Sequence, residues 1–140
     1  MPRLLLTVAA LLATAGVAAG FRDKPEGQPL YKSAPEKFQQ MQNPLAADTQ
    51  AVEIGRRLFD RSCASCHVPD SEGRSKGPHL KAEGLREASP GALFWVIKSG
   101  NAAKGMPGFS QLPDKQKWQI VTYLHSLEET SSRDAKANLH

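Results

Sequence analysis

Five consecutive residues, Cys63-Ala64-Ser65-Cys66-His67, carry the densest chemistry in this 140-residue chain. Two thiols three positions apart emerge on one side of a helical turn, and an imidazole follows at once. Four chemistries compete for such a pattern. A thioredoxin-like redox pair needs a βαβ frame, and none flanks the motif. A structural zinc site wants a second ligand pair, whereas the other histidines, His79, His125 and His140, are scattered. An ordinary disulfide is the default for two cysteines in an exported chain. The C-x-x-C-H spacing fits covalent haem attachment best. Each thiol can add across one haem vinyl group, and His67 then arrives beneath the iron as the proximal ligand. Cys63 and Cys66 are the chain's only cysteines, so attachment leaves no odd thiol.

A second axial ligand decides what the iron can do. Met106 is the best candidate, in Lys104-Gly105-Met106-Pro107-Gly108-Phe109. Its glycines allow close backbone approach, and Pro107 stiffens the turn. A thioether ligand favours ferrous iron and raises the potential. A methionine is more often core filler, but one flanked by Gly and Pro in a polar loop is an odd core residue. Met41 lies before the domain and is a poor rival; His79, His125 and His140 are the remaining candidates.

Helices must position these groups. Asp48 or Thr49 can cap a helix whose Val52, Ile54, Gly55, Leu58 and Phe59 share one broad side and which runs into Ser62-Cys63. A loop rich in Gly, Ser and Pro follows, over residues 68–78. Ser89 and Pro90 open a short helix to Lys98, with Leu93, Phe94, Val96 and Ile97 as core candidates and Gly100 as its stop. A last helix is expected from about Pro113 to Glu128, with Trp118, Ile120, Val121, Tyr123, Leu124 and Leu127 on its apolar face. For Trp95 and Trp118 core packing is favoured over a redox role. The polar tail after Thr130 is expected to fray.

The ends of the chain differ from its middle. Arg3, an apolar run from Leu4 to about Ala19, and the small residues Val17-Ala18-Ala19-Gly20 have the order of a secretory signal peptide. The run is shorter than the roughly 20 residues that span a bilayer. Cleavage is therefore expected rather than a retained anchor. Residues 21–47 hold Pro25, Pro29, Pro35 and Pro44, too many for a continuous helix, and read as an extended arm, either wrapped on the domain or mobile. The formal charge is +4, yet residues 48–130 hold 11 Lys and Arg against 10 Asp and Glu. No basic stripe is interleaved with aromatics, so nucleic-acid binding is not expected.

Taken together, these features resemble the class I cytochromes c, above all the small bacterial periplasmic ones, over roughly Asp48 to Glu128. The resemblance implies an all-α fold of about three to five helices wrapped round one covalently attached haem c. It matches Gly55 and Phe59 to the first helix of the family, and Ile120 and Tyr123 to the last helix that crosses it. Gly77-Pro78-His79-Leu80 is similar to the family's Gly-Pro-x-Leu. That implies a hydrogen bond from His67 to the Pro78 carbonyl, which would orient the ring, and packing of Leu80 on the haem. Pro113 departs from the pattern, since the last helix of the family often opens with Ser.

The expected organisation is a signal peptide (1–20), a Pro-rich arm (21–47), a haem domain (48–130) and a polar tail (131–140). The expected function is periplasmic one-electron transfer between redox proteins, by a carrier that is not itself an enzyme. Candidate partners are a periplasmic dehydrogenase and a terminal oxidase or other acceptor, with no stable membrane span after signal cleavage. The chain could instead be the dedicated haem subunit of a periplasmic dehydrogenase. A gas sensor or peroxidase would need an open sixth site. The early position of the motif argues against four-helix-bundle cytochromes, and a single motif against di-haem peroxidases. Lys98, Lys104, Lys115 and Lys117 stand against Asp114 alone between Trp95 and Trp118, a balance that could steer an acidic partner.

Overall fold

The computed structural model describes residues 29–67, 77, 80, 85 and 87–137, with side chains through 127. The expected signal peptide and arm residues 21–28 lie outside the described residues. The described residues form four α-helices: α1 Glu36–Gln39, α2 Thr49–Ser62, α3 Pro90–Ser99 and α4 Asp114–Ala137. Two 3-10 turns, Leu30–Ser33 and Ala102–Lys104, accompany them. Among these residues β-pairing is limited to one isolated bridge, Asn101 to Met106. The domain is all-α, as expected.

Local chemistry sets the helix ends. The Asp48 carboxylate accepts from the Gln50 and Ala51 amides at 2.9 and 3.1 Å. These are donors that the first turn of α2 leaves open. Ser89 Oγ accepts from the Ala92 amide at 3.2 Å and caps α3. Pro90 fits the first turn of that helix. Gly100, at φ 64°, ends α3. Side chains resist that conformation. The last helix differs from expectation. It runs beyond Glu128 to Ala137, because no Pro or Gly interrupts its backbone ladder there.

The core lies where α2 crosses α4. Ala51, Gly55 and Phe59 form the buried stripe of α2 at four-residue spacing. A methyl group on Gly55 would run into the Gln119 carbonyl, so the two helix backbones meet closely there. Phe59 and Tyr123 pack across the crossing at 5.4 Å between ring centroids. Phe94 of α3 stacks on Trp118 of α4 at 4.4 Å, and Leu85, Ala88, Leu93, Ile97, Ile120, Val121 and Leu124 complete the cluster. Val96, a core candidate from sequence, is only half-buried.

The arm is not extended where it is described. Pro29 and Pro35 each stand just before a short helical piece, where a fixed φ suits a helix start. The arm packs on α3: Phe38 lies 6.4 Å from Phe94, and a methyl on Gly91 would strike the Phe38 carbonyl and Met41. Ser89 Oγ donates to Gln39 Oε1 at 3.2 Å, and Asn43 Nδ2 donates to Thr122 of α4 at 2.9 Å.

Candidate haem site

The end of α2 builds the turn that carries both thiols. The Cys63 and Ala64 amides both donate to the Phe59 carbonyl, at 2.8 and 3.0 Å. The Cys63 carbonyl then accepts from both the Cys66 and the His67 amides, at 3.0 and 2.8 Å. Two sulfurs and one imidazole therefore hang from a single closed turn, braced by a buried helix. Cys63 also leans on the core cluster. Burial, and to a lesser degree the neighbouring Cys66, pushes its thiol up to about 11. A thiolate is disfavoured there, whereas a neutral thioether meets no such penalty.

The chain returns to this turn at Gly77, whose amide donates to the Cys66 carbonyl at 3.0 Å. Any side chain at Gly77 would collide with the imidazole: its Cβ would stand 2.6 Å from Cε1 and 2.8 Å from Nδ1 of His67. Gly77 thus packs directly against the ring and restricts its orientation. Pro78, the expected acceptor for His67, lies outside the described residues. Leu80 is partly buried and packs against the core cluster.

Met106 is held by a different device. Its amide and carbonyl pair with Asn101 at 3.0 and 2.8 Å, closing a small loop around the second 3-10 turn. Gly105, at φ 78°, has open space about its Cβ position. Backbone angle rather than crowding therefore favours glycine there. The loop then folds back on α3, where the Phe109 amide donates to the Ile97 carbonyl at 2.9 Å. Met106 is partly exposed. Phe109 and Leu112 rest on the same buried cluster as Cys63, Ala64 and Leu80, so the turn and the loop lean on one apolar core.

These residues fit haem c. The donor set comprises two thiols, an imidazole and a thioether; the thiol site disfavours charge; and a glycine packs against the imidazole. Of the rivals, Met41 packs on Gly91, next to Pro90 at the start of α3. His125 lines a cleft with Asn43, Thr49 and Val52, at the start of α2 and not at the thiol-bearing end. His79 and His140 lie outside the described residues.

Sequence reasoning misplaced one lysine. Lys117 is 1% exposed, beneath Phe94 and Leu112, and cannot belong to a steering surface. A signal was available: Lys117 falls in phase with the apolar residues Ile120, Val121 and Leu124. Lys98, Lys104 and Lys115 are exposed.

An all-α domain with a C-x-x-C-H turn at the end of a core helix is a class I-like c-type cytochrome. The model of the family described as "Cytochrome C oxidase, cbb3-type, subunit III" matches residues 50–124, more than half of the chain. The chain belongs to that family. It is 50% identical over 36 residues to the "Cbb3-type cytochrome c oxidase subunit CcoP" of Rubrivivax gelatinosus. That stretch is 26% of this chain and 12% of the relative, so the shared part is a small fraction of the larger protein. No solved structure matches. The role is haem-based electron transfer, and the family implies haem c as the cofactor.

Proposed function

We propose that this chain moves single electrons outside the cytoplasm through one haem c, held by thioethers at Cys63 and Cys66 and by His67 and Met106 on the iron. When bound, haem c supplies a ferric/ferrous couple that takes up or releases one electron. Cys63 and Cys66 would fix the group to the turn that follows α2, and Gly77 restricts the His67 ring. Met106 would supply the iron's second protein ligand, a thioether that favours the ferrous state. The observation that carries this reading is the Cys63 carbonyl, which gathers the Cys66 and His67 amides into one turn.

Met106→Ala tests the iron's second ligand. The variant should lose the weak near-infrared band of methionine-ligated ferric haem, bind carbon monoxide rapidly when reduced, and have a lower potential. An unchanged spectrum and potential would assign the ligand to another residue.

A second reading is favoured by the family match: the chain serves as a haem subunit bound within a cbb3-type oxidase complex. Gentle solubilisation and affinity purification from the native host distinguish the two. Recovery with oxidase subunits supports the bound subunit, and recovery as a lone small protein from the periplasmic fraction supports the free carrier. Recovery with a dehydrogenase would replace the oxidase as its partner.

A further inference from the structure

Lys117 is a fully buried cation in an apolar cluster, where a lysine is rarely kept without reason. Its Nζ donates to the Leu112 carbonyl at 2.6 Å and meets Asp114 Oδ1 at 2.9 Å. The same ammonium faces the Phe94 ring, 5.4 Å from its centroid. That placement suits a cation–π contact. Three structural parts therefore converge on one charge: α3 through Phe94, the end of the Met106 loop through Leu112, and the first turn of α4 through Asp114. Leu112 is in turn tied to Phe109 by a 3.1 Å backbone hydrogen bond, and Phe109 to Ile97 of α3 at 2.9 Å. Met106 stands three residues before Phe109.

We propose that Lys117 is a positioning residue that clamps the C-terminal leg of the Met106 loop and thereby keeps the methionine on the iron. The inference rests on the assignment of Met106 as ligand. Without the ammonium, the Leu112 carbonyl loses its donor, and the leg beyond Phe109 is held less firmly to α4. Lys117→Met preserves most of the buried volume and removes only the donor and the charge.

The test uses the ferric holoprotein and imidazole as the incoming ligand, which can bind only when Met106 leaves. Lys117→Met should bind imidazole about tenfold faster than the native protein, the change that one lost buried hydrogen bond makes in a local opening equilibrium. Lys117→Arg, which keeps a donor, should stay near the native rate. Val121→Ala, a buried truncation one turn further along α4 that leaves the ammonium in place, controls for lower global stability and should leave the rate nearly unchanged. If Lys117→Met yields no holoprotein, Asp114→Asn replaces it, with about a threefold acceleration expected from loosening the ammonium. Equal acceleration by Lys117→Met and Val121→Ala, or a native rate in the tested clamp variant, overturns the clamp. Met106→Ala separates the two layers. If it leaves the near-infrared band intact, the ligand assignment falls and the clamp falls with it. If it abolishes the band while Lys117→Met binds imidazole at the native rate, only the clamp is wrong.

Discussion

The two sides of the candidate iron site are built on opposite principles. On the Cys63–His67 side every group lies within five residues, and one carbonyl closes the turn through amides three and four positions on. On the Met106 side the ligand depends on parts far along the chain: Gly100 at positive φ, the Asn101 bridge, Ile97 of α3 and Lys117 of α4. A local turn survives partial opening of the domain. A ligand held by tertiary contacts is released by it. The difference assigns permanence to the attachment side and exchangeability to the methionine side.

The largest effects should come from the local side. The double variant Cys63→Ala, Cys66→Ala should lose covalent haem completely, so that acid–acetone extraction or a denaturing gel stained for haem leaves none on the polypeptide. Haem retained through denaturation would sink the attachment assignment. His67→Ala should abolish normal holoprotein maturation, whereas Met106→Ala should still carry covalent haem. That contrast breaks down if the two variants yield equal amounts of holoprotein.

Two glycines sharpen the comparison. Gly77→Ala places a methyl against the His67 ring. Overpacking of that kind costs ~1–3 kcal/mol. The variant should perturb the proximal imidazole resonances in paramagnetic NMR. Gly105→Ala meets no atom. It nonetheless forces a side chain into the left-handed region, at a cost of roughly 1–2 kcal/mol. It should speed imidazole binding without touching the His67 signals. A perturbation of His67 by Gly105→Ala, or none by Gly77→Ala, would show that the two sides are not independent.

What the sequence made legible follows the same division. The haem turn, the Asp48 and Ser89 caps and the Gly100 stop were readable because each is decided by neighbours a few positions away. For the arm the sequence left wrapping and mobility both open, because the choice rests on Phe38 against Phe94 and on the close pass over Gly91, contacts between positions far apart in the chain. At Lys117 the two signals conflict: charge argues for the surface, and helical phase places it in the core, where it lies. The extension of α4 to Ala137 is not legible from polarity, which favours fraying, but follows from the lack of a helix breaker there.

Exposed cations flank both sides, Arg61 at the end of α2 among them. On α2, Arg56 is engaged by Glu53 and Asp60, at 2.9 and 3.1 Å. Beside the Met106 loop, Lys98, Lys104 and Lys115 are exposed. Oxidation of the reduced protein by ferricyanide, an anion, should therefore slow as salt rises, and replacing these three lysines by Gln should lower the rate several-fold at low ionic strength. Arg56→Gln should change little. Equal effects from both sets would remove any steering preference for the methionine side.

The smallest effect is a single titration, and it tests how the methionine side is anchored. The Lys117 hydrogen bond, more than the charges of Lys117 and Lys98, holds the Asp114 carboxyl below its usual value of 3.8. A depressed folded value means that the charged form favours the native state. The contribution is present above the unfolded value and is lost as pH falls through the folded one. Asp114 is largely exposed, so solvent screens the pair and the stability change is slight; the titration is the sharper readout. Followed by carboxyl-carbon NMR, Asp114 should titrate closer to 3.8 in Lys117→Met and keep most of its depression in Lys98→Met. The order of these two variants decides the matter. If Lys98→Met has the larger effect, the charge at the end of α3 rather than the buried ammonium dominates the start of α4, and the loop is tied to α4 less firmly than the 2.6 Å contact to Leu112 implies.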